Sequence, residues 1–112
     1  MTSDKMDLSM KQLQDLILQQ AKEKGFGVLP EEISVAEKIA LIHSEISEAF
    51  EAYRKKNIDD RHGFKEELGD AIQRILHLAG IFNMDLEKEI IKKLDLNKDR
   101  KWNWEEMNEK HS

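Results

Sequence analysis

The chain has 112 residues, of which 37% are charged, with a net charge of −5, a single proline and no cysteine. This length predicts one domain over residues 1–112, with a peripheral tail from about residue 103. Without cysteine, disulfides, zinc fingers and thiolate chemistry are excluded, and the negative charge argues against a polynucleotide partner. The apolar runs are short and the N-terminus has no apolar signal segment, so we expect a cytoplasmic protein that does not enter a membrane.

Abundant Glu, Lys, Leu and Ile with few aromatic residues predict an all-α fold. We expect a first helix from about Ser9, stopped by Gly25, which suits a left-handed C-cap. A second helix should begin after Ser34, which forms a capping-box pattern with Glu37, and should run to about Lys56.

Two further helices complete the expected four-helix, antiparallel, bundle-like fold. The third is predicted over about 61–82, with Asp59 or Asp60 as its cap, and the fourth over about 86–99, capped by Asp85. Apolar residues on more than one face of four short helices would leave surface exposed in a monomer, so we expect oligomerisation to complete the fold. The apolar positions that recur at helical spacing and predict the core faces of the last three helices are Val35, Ile39, Ile42, Ile46, Ala49, Phe50 and Tyr53; Phe64, Leu68, Ile72, Ile75, Ala79 and Phe82; and Leu86, Ile90, Ile91 and Leu94.

Two pairs of acids lie within these helical patterns, Glu45 with Glu48 and Glu67 with Asp70. Residues three apart project from nearly the same side of a helix, so two packed helices would form a box of four carboxylates. Four carboxylates cannot all stay ionised unless cations neutralise them, and hard oxygen ligands suit Mg²⁺ or Mn²⁺. The alternative is that both pairs belong to solvated helix faces.

The neighbours of the acids favour a site over a solvated face. Leu41 and Ala52 project close to the first pair, one turn before and one turn after it, so that pair interrupts a partly apolar strip. Gly69, between the second pair, costs about 1 kcal/mol relative to Ala and leaves room for a helix or a ligand. No Glu-x-x-His pair occurs, which argues against a di-iron site, and we expect His77 and the other histidines to be surface or bundle-lining residues.

The run Glu45-Ile-Ser-Glu48, the spacer 49–66 and the run Glu67-Leu-Gly-Asp70 resemble the ExxE, spacer, ExxD signature of the MazG-like all-α nucleoside triphosphate pyrophosphohydrolases. Glu66 before the second run, and Lys93, Asn97 and Arg100-Lys-Trp102 at the end of the fourth helix, are also similar to that family. The resemblance covers about residues 10–102, and Ser44 departs from it by replacing the usual second acid before the first pair.

The resemblance implies a MazG-type fold and an activity. That family hydrolyses nucleoside triphosphates to the monophosphate and pyrophosphate, often as a house-cleaning activity, and forms a dimer or a dimer of dimers with sites near the subunit interface. Mg²⁺ is the implied cofactor, and Mn²⁺ is expected to substitute for it. The implied catalytic and metal-binding residues are Glu45, Glu48, Glu67 and Asp70, and the implied phosphate contacts are Lys93, Asn97 and Arg100.

The base of the nucleotide is the part of the substrate that the sequence describes least. Our candidates for contacting it are Gln14, Phe26 and Trp102, and Glu45 is the candidate for orienting or deprotonating the attacking water. A related dUTPase or phosphoribosyl-ATP pyrophosphatase would use a similar metal site. From a different class, a non-catalytic helical interaction module would carry these acids as a solvated stripe.

Overall fold

The computed structural model describes residues 7–99, and over this range the chain is helical, with no strand. Its helices are α1 (Met10–Glu23), α2 (Val35–Arg54), α3 (Phe64–Ile81) and α4 (Leu86–Lys98), with a short 3-10 turn over Pro30–Glu32. The predicted all-α fold with four helices is confirmed. Among the described residues, no helix combines the length and the apolar character that crossing a membrane requires.

Helix α3 lies at the centre, because both α2 and α1 pack against it, while α4 packs mainly against α1. Alanines dominate the contact between α2 and α3, where Ala49, Ala52 and Ala71 are all buried. Small side chains at a helix contact let the two axes approach closely. Longer side chains that flank these alanines on the two helices can therefore meet.

The predicted starts of three helices are confirmed by their caps. Ser9 forms a full capping box with Gln12, in which the Ser9 hydroxyl accepts from the Gln12 N–H at 3.2 Å and the Gln12 side chain accepts from the Ser9 N–H at 2.8 Å. The Ser34 hydroxyl accepts from the Glu37 N–H at 3.2 Å, which is one half of the predicted capping box; the return bond from the Ser34 N–H to the Glu37 carboxylate does not form. Asp85 caps α4 through its side chain, which accepts from the Lys88 N–H at 3.0 Å. Each bond satisfies a backbone donor that the helix leaves without a partner.

The predicted start of the third helix is wrong. Its N-cap is Gly63, with no side-chain cap, and the helix begins three residues later than expected. The first backbone donors of α3 are instead satisfied by the preceding turn, since the N–H groups of Phe64 and Lys65 donate to the carbonyl oxygens of Asn57 and Ile58 at 2.9 and 3.2 Å. An aspartate cap is therefore unnecessary.

Three of the helices end in the same way, with one residue in the left-handed region directly after the C-cap. This residue is Gly25 after α1, Lys56 after α2 and Asn83 after α3, at φ values of 81°, 63° and 55°. The N–H of the residue that follows then donates back across the helix end, to the carbonyl oxygens of Ala21, Ala52 and Ala79 at 2.8, 2.9 and 2.9 Å. This is the Schellman arrangement, and it confirms the role predicted for Gly25.

The predicted core faces of α2, α3 and α4 are largely wrong. Ala49 and Ala79 are buried as expected, but Phe50 is 61% exposed and Ile72 is 50% exposed. The faces of α2 and α3 that pack against each other carry alanines and acids. The predicted apolar faces lie on other sides of these helices, so they cannot make the same contact. The other large side chains of the predicted core faces that lie exposed are Val35, Ile39, Ile46, Tyr53, Leu68, Phe82, Ile90, Ile91 and Leu94.

Candidate metal centre

The close contact between α2 and α3 brings three acids together. Glu45 from α2 and Glu67 and Asp70 from α3 each offer one carboxylate oxygen, and these oxygens lie within 4.8 Å of one another. Glu45 and Glu67 are buried and Asp70 is half-buried. The cluster consists of oxygen ligands alone, which is the donor set that Mg²⁺ and Mn²⁺ prefer.

The fourth predicted acid, Glu48, lies at the edge of this cluster. Its side chain is exposed, and together with Glu67 it lines a groove of about 410 Å³. Lys55 and His62 line the same groove, so its wall carries both signs of charge. Glu48 is therefore in reach of a ligand that enters this groove, while the other three acids lie deeper.

The neighbouring acids change the pKa of Glu67. Its closeness to the Glu45 carboxyl, its burial and the nearby Glu48 carboxyl together raise the pKa of Glu67 to about 7. Acids held this close favour the neutral form of one another, whereas a cation between them favours the charged form.

The pKa of Asp70 is also raised, for related reasons. Burial is the main cause, and the charges of Glu45 and Glu66 act in the same direction. The positive charges of Arg74 and His62 oppose this shift without cancelling it. A site in which two neighbouring acids resist ionisation is one that a divalent cation would relieve.

One carboxylate oxygen of Glu45 has no hydrogen-bond partner within the described part of the chain. Arg74 of α3 donates from Nε to Oε1 of Glu45 at 3.1 Å, whereas Oε2 is buried and has no hydrogen-bond partner among the described residues. A buried carboxylate oxygen without a partner is costly. The oxygen donors of Glu45, Glu67 and Asp70 fit a hard divalent ion, and a cation bound through Oε2 would give that oxygen a partner.

The predicted phosphate contacts are not joined to the acids within the described chain. Lys93 and Asn97 lie on α4, which packs mainly against α1, and Lys93 is exposed. Arg100, the third predicted phosphate contact, and Trp102, a predicted base contact, lie outside the described residues. The positively charged side chain that contacts the acids is instead Arg74 of α3, which also lines a neighbouring groove.

That groove, of about 370 Å³, adjoins the acids through Arg74. Lys24, Lys38 and the predicted base contact Phe26 line it, and the Phe26 side chain is 61% exposed. It therefore combines positive charge with an accessible aromatic ring. Its full lining is Ile17, Gln20, Ala21, Lys24, Phe26, Lys38, Gln73, Arg74 and His77.

Gln14, the other predicted base contact, has a different environment. It is 1% exposed, and its Nε2 donates to the carbonyl oxygen of Met84 at 2.5 Å. This bond ties α1 to the turn between α3 and α4. Gln14 thus contributes to helix packing in the described chain.

Sequence reasoning missed two residues beside the acids, Arg74 and His62. Arg74 follows Asp70 by four residues, a spacing that puts both on one side of α3 and could have indicated it. His62, at φ 61°, has Nδ1 3.8 Å from Oε1 of Glu67, but it lies in a turn and has no periodic signal. His77 lies in the wall of the groove beside Arg74, with Nε2 2.9 Å from the carbonyl oxygen of Gly27.

Comparisons with protein-family models, curated proteins and solved structures give no match to this chain. The chemistry of the site is therefore the basis for assigning a function. Buried acids that suit a hard cation lie beside a groove that carries two lysines, an arginine and an aromatic ring. Such a site can bind a metal-associated, phosphorylated ligand that also has an apolar or aromatic part.

Proposed function

We propose that this chain is a Mg²⁺-dependent nucleoside triphosphate pyrophosphohydrolase of the MazG-like type. It would convert a nucleoside or deoxynucleoside triphosphate to the monophosphate and pyrophosphate, in a house-cleaning role on the nucleotide pool. The observation that carries the proposal is the cluster of Glu45, Glu67 and Asp70, together with the buried Oε2 of Glu45, which has no hydrogen-bond partner among residues 7–99. Mn²⁺ is expected to substitute for Mg²⁺, since both prefer oxygen ligands.

The residues of the chain divide the work in this proposal. Glu45, Glu67 and Asp70 would hold the cation, and Glu48, at the edge of the site, would be a further ligand for it. When bound, Mg²⁺ supplies positive charge against the triphosphate and makes water a better nucleophile. Arg74 lies where it can take up negative charge on the phosphates.

The groove beside Arg74 suits the nucleoside part of the substrate. Phe26 offers a ring face on which a base can stack, and Gln20 and Gln73 offer amide donors and acceptors to its edge. The groove beside Glu48 carries the carboxylates of Glu48, Glu51 and Glu67 against one lysine, so the phosphates would lie on the Arg74 side of the acids.

We also propose that the chain works as a homodimer or a dimer of dimers. The α2/α3 apolar face, which we define as Ile46, Phe50, Tyr53, Leu68 and Ile72, lies exposed, and contiguous apolar surface of this kind indicates an interface. Lys93, Asn97 and Arg100 remain the proposed phosphate contacts in this assembly. Association is the step that can bring an α4 helix to the acids.

A nucleotide screen tests the activity. The full chain would be incubated with Mg²⁺ and a panel of ribo-, deoxy- and modified nucleoside triphosphates, with separate detection of monophosphate and pyrophosphate. We expect pyrophosphate release that requires metal and that Asp70→Asn or Glu45→Gln lowers by about 100-fold or more, since even residues that only support metal ligands cost 10–100-fold when removed. Glu37→Gln removes an exposed carboxylate from α2 and should leave the activity unchanged.

The same experiment separates the competing functions. Cleavage of dUTP alone would indicate the related dUTPase, and cleavage of phosphoribosyl-ATP alone would indicate the corresponding pyrophosphatase. If no nucleotide is cleaved and millimolar Mg²⁺ leaves the melting temperature unchanged, the acids bind no metal and the interaction module is the correct function. A bound cation must raise the melting temperature, because it stabilises the folded state alone.

A further inference from the structure

Arg74 connects the acids to the neighbouring groove through two different parts of one side chain. From α3 it reaches across to α2, where Nε donates to Oε1 of Glu45 at 3.1 Å. A guanidinium carries five N–H donors, and the terminal nitrogens of Arg74 make no hydrogen bond with residues 7–99. The side chain is 42% exposed and lines the groove that also contains Lys24 and Lys38.

The bond from Nε decides which oxygen of Glu45 is left for another partner. The terminal torsion of a glutamate is soft, so an unrestrained carboxylate would exchange its two oxygens. Because Arg74 holds Oε1, the buried Oε2 is the oxygen that has no hydrogen-bond partner within residues 7–99. The arrangement is that of a side chain that orients a metal ligand from outside the coordination shell.

We propose that Arg74 is a positioning residue for Glu45 and, through its terminal nitrogens, a binding residue for a phosphate group in the adjoining groove. The positioning part requires only that the acids bind a cation. The phosphate part rests on the proposed function, because it takes a phosphorylated ligand as given. A planar fork of donors suits phosphate, and Lys24 and Lys38 supply further positive charge in the same groove.

A plain structural role would have a different consequence. If Arg74 served only as a brace between α2 and α3, its positive charge would repel a cation bound a few ångströms away. Removing that charge would then leave cation binding unchanged or tighten it. Positioning predicts the opposite direction, so the affinity for a cation distinguishes the two roles.

Mn²⁺ binding to the metal-free full chain tests the positioning part, by calorimetry and by the paramagnetic resonance of free Mn²⁺. Compared with the wild type, Arg74→Met should bind Mn²⁺ about 10-fold more weakly, the low end of the range for residues that orient metal ligands. Arg74→Lys should be at least as weak, because it keeps the repelling charge and loses the Nε donor. Lys22→Met removes an exposed charge elsewhere on the chain and should bind within about twofold of the wild type.

Binding of inorganic pyrophosphate at saturating Mg²⁺ tests the phosphate part. Arg74→Met should weaken it by about 10-fold, the equivalent of one charge-assisted contact. Arg74→Lys should recover part of this loss, since a lysine ammonium can still contact phosphate as a point charge. Lysine would thus restore binding of the anion without restoring binding of the cation, a pattern that a brace between helices would not produce.

Each outcome is decisive. A wild-type chain that binds no Mn²⁺ overturns the proposed function and this inference with it. A wild-type chain that binds Mn²⁺, with Arg74→Met binding equally well or more tightly, overturns the positioning part alone. Equal pyrophosphate affinity in the wild type and Arg74→Met overturns the phosphate part. If circular dichroism shows Arg74→Met to be unfolded, Arg74→Gln replaces it in both titrations.

Discussion

Glu67 illustrates how far a single residue depends on its surroundings. The spacing of the acids along the chain identifies Glu67 as a candidate ligand, but its protonation depends on Glu45 and Glu48, which come from another helix. Arg74 illustrates the same point, since its partner Glu45 lies 29 positions away in the chain. The protonation of Glu67 and the pairing of Arg74 with Glu45 both depend on distances between helices. The sequence of either helix does not contain those distances.

The raised pKa of Glu67 predicts how stability changes with pH in the metal-free chain. Its pKa is about 7 in the folded chain, against an ordinary value of 4.5. Between these values the folded state binds more protons than the unfolded state, so the free energy of unfolding should fall as the pH rises from about 4.5 to about 7. Glu67→Gln should remove this part of the slope, as measured by urea denaturation in the presence of a chelator.

The control for this prediction is Glu37→Gln, which changes an exposed acid and should keep the wild-type slope. A Glu67→Gln variant whose stability still falls with pH as steeply as the wild type would show that the raised pKa is not present. Saturating Mg²⁺ should also flatten the dependence of wild-type stability on pH, because a cation bound by the acids favours their ionised forms in the folded state.

At the scale of helices, the ends are determined by local chemistry, but not always by the residue type that suits them best. The left-handed position after a helix is favourable for glycine, and α1 has Gly25 there. α2 has Lys56 at the equivalent position, with φ at 63°, directly after its C-cap Lys55. A side chain in this conformation is strained, so α2 ends at a cost to stability that α1 avoids.

Lys56→Gly should therefore stabilise the chain. The expected gain in the free energy of unfolding is about 1 kcal/mol, the cost of holding one non-glycine residue in the left-handed region. Lys55→Gly is the matched control, since Lys55 has φ −84° and gains nothing from glycine. It should instead lose about 0.5–1 kcal/mol through the greater entropy of the unfolded chain. Chemical denaturation of both variants measures the difference, and a Lys56→Gly variant less stable than the wild type would contradict the strain.

For the whole molecule, the main departure from expectation is the face on which the helices pack. Ala49, Ala52 and Ala71 bring α2 and α3 together, and the bulky apolar positions of both helices turn outward. The ring of Tyr53 lies 5.5 Å from the ring of Phe64, which connects the outward faces of α2 and α3 into one surface. α4 adds a second exposed apolar surface, since it contributes no buried residue. Both observations support the proposed assembly.

The oligomeric state tests this proposal. We expect the wild-type chain to be at least a dimer by light scattering. Phe50→Glu, in the centre of the α2/α3 apolar face, should raise the dissociation constant by about 10- to 100-fold, because burying a large apolar side chain contributes about 1.5–3 kcal/mol. Ser44→Glu is the control, since it adds the same charge at an exposed position about 120° around α2 from Phe50, off the apolar face. A monomeric wild-type chain would contradict the proposal, and a Phe50→Glu variant that remains a dimer would place the interface on another face.

The sequence by itself determined the helical class, the caps at Ser9, Ser34 and Asp85, the end at Gly25 and the identity of the acids. These features depend on residues within one or two helical turns of each other, so they can be predicted from periodicity and cap chemistry. Tertiary structure alone decided which face of each helix is buried, which three acids meet, and how Arg74 orients Glu45. Those outcomes depend on the distance between α2 and α3 and on how each helix is rotated about its axis. The small alanines at the contact determine both, and the helical periodicity of a sequence cannot reveal them.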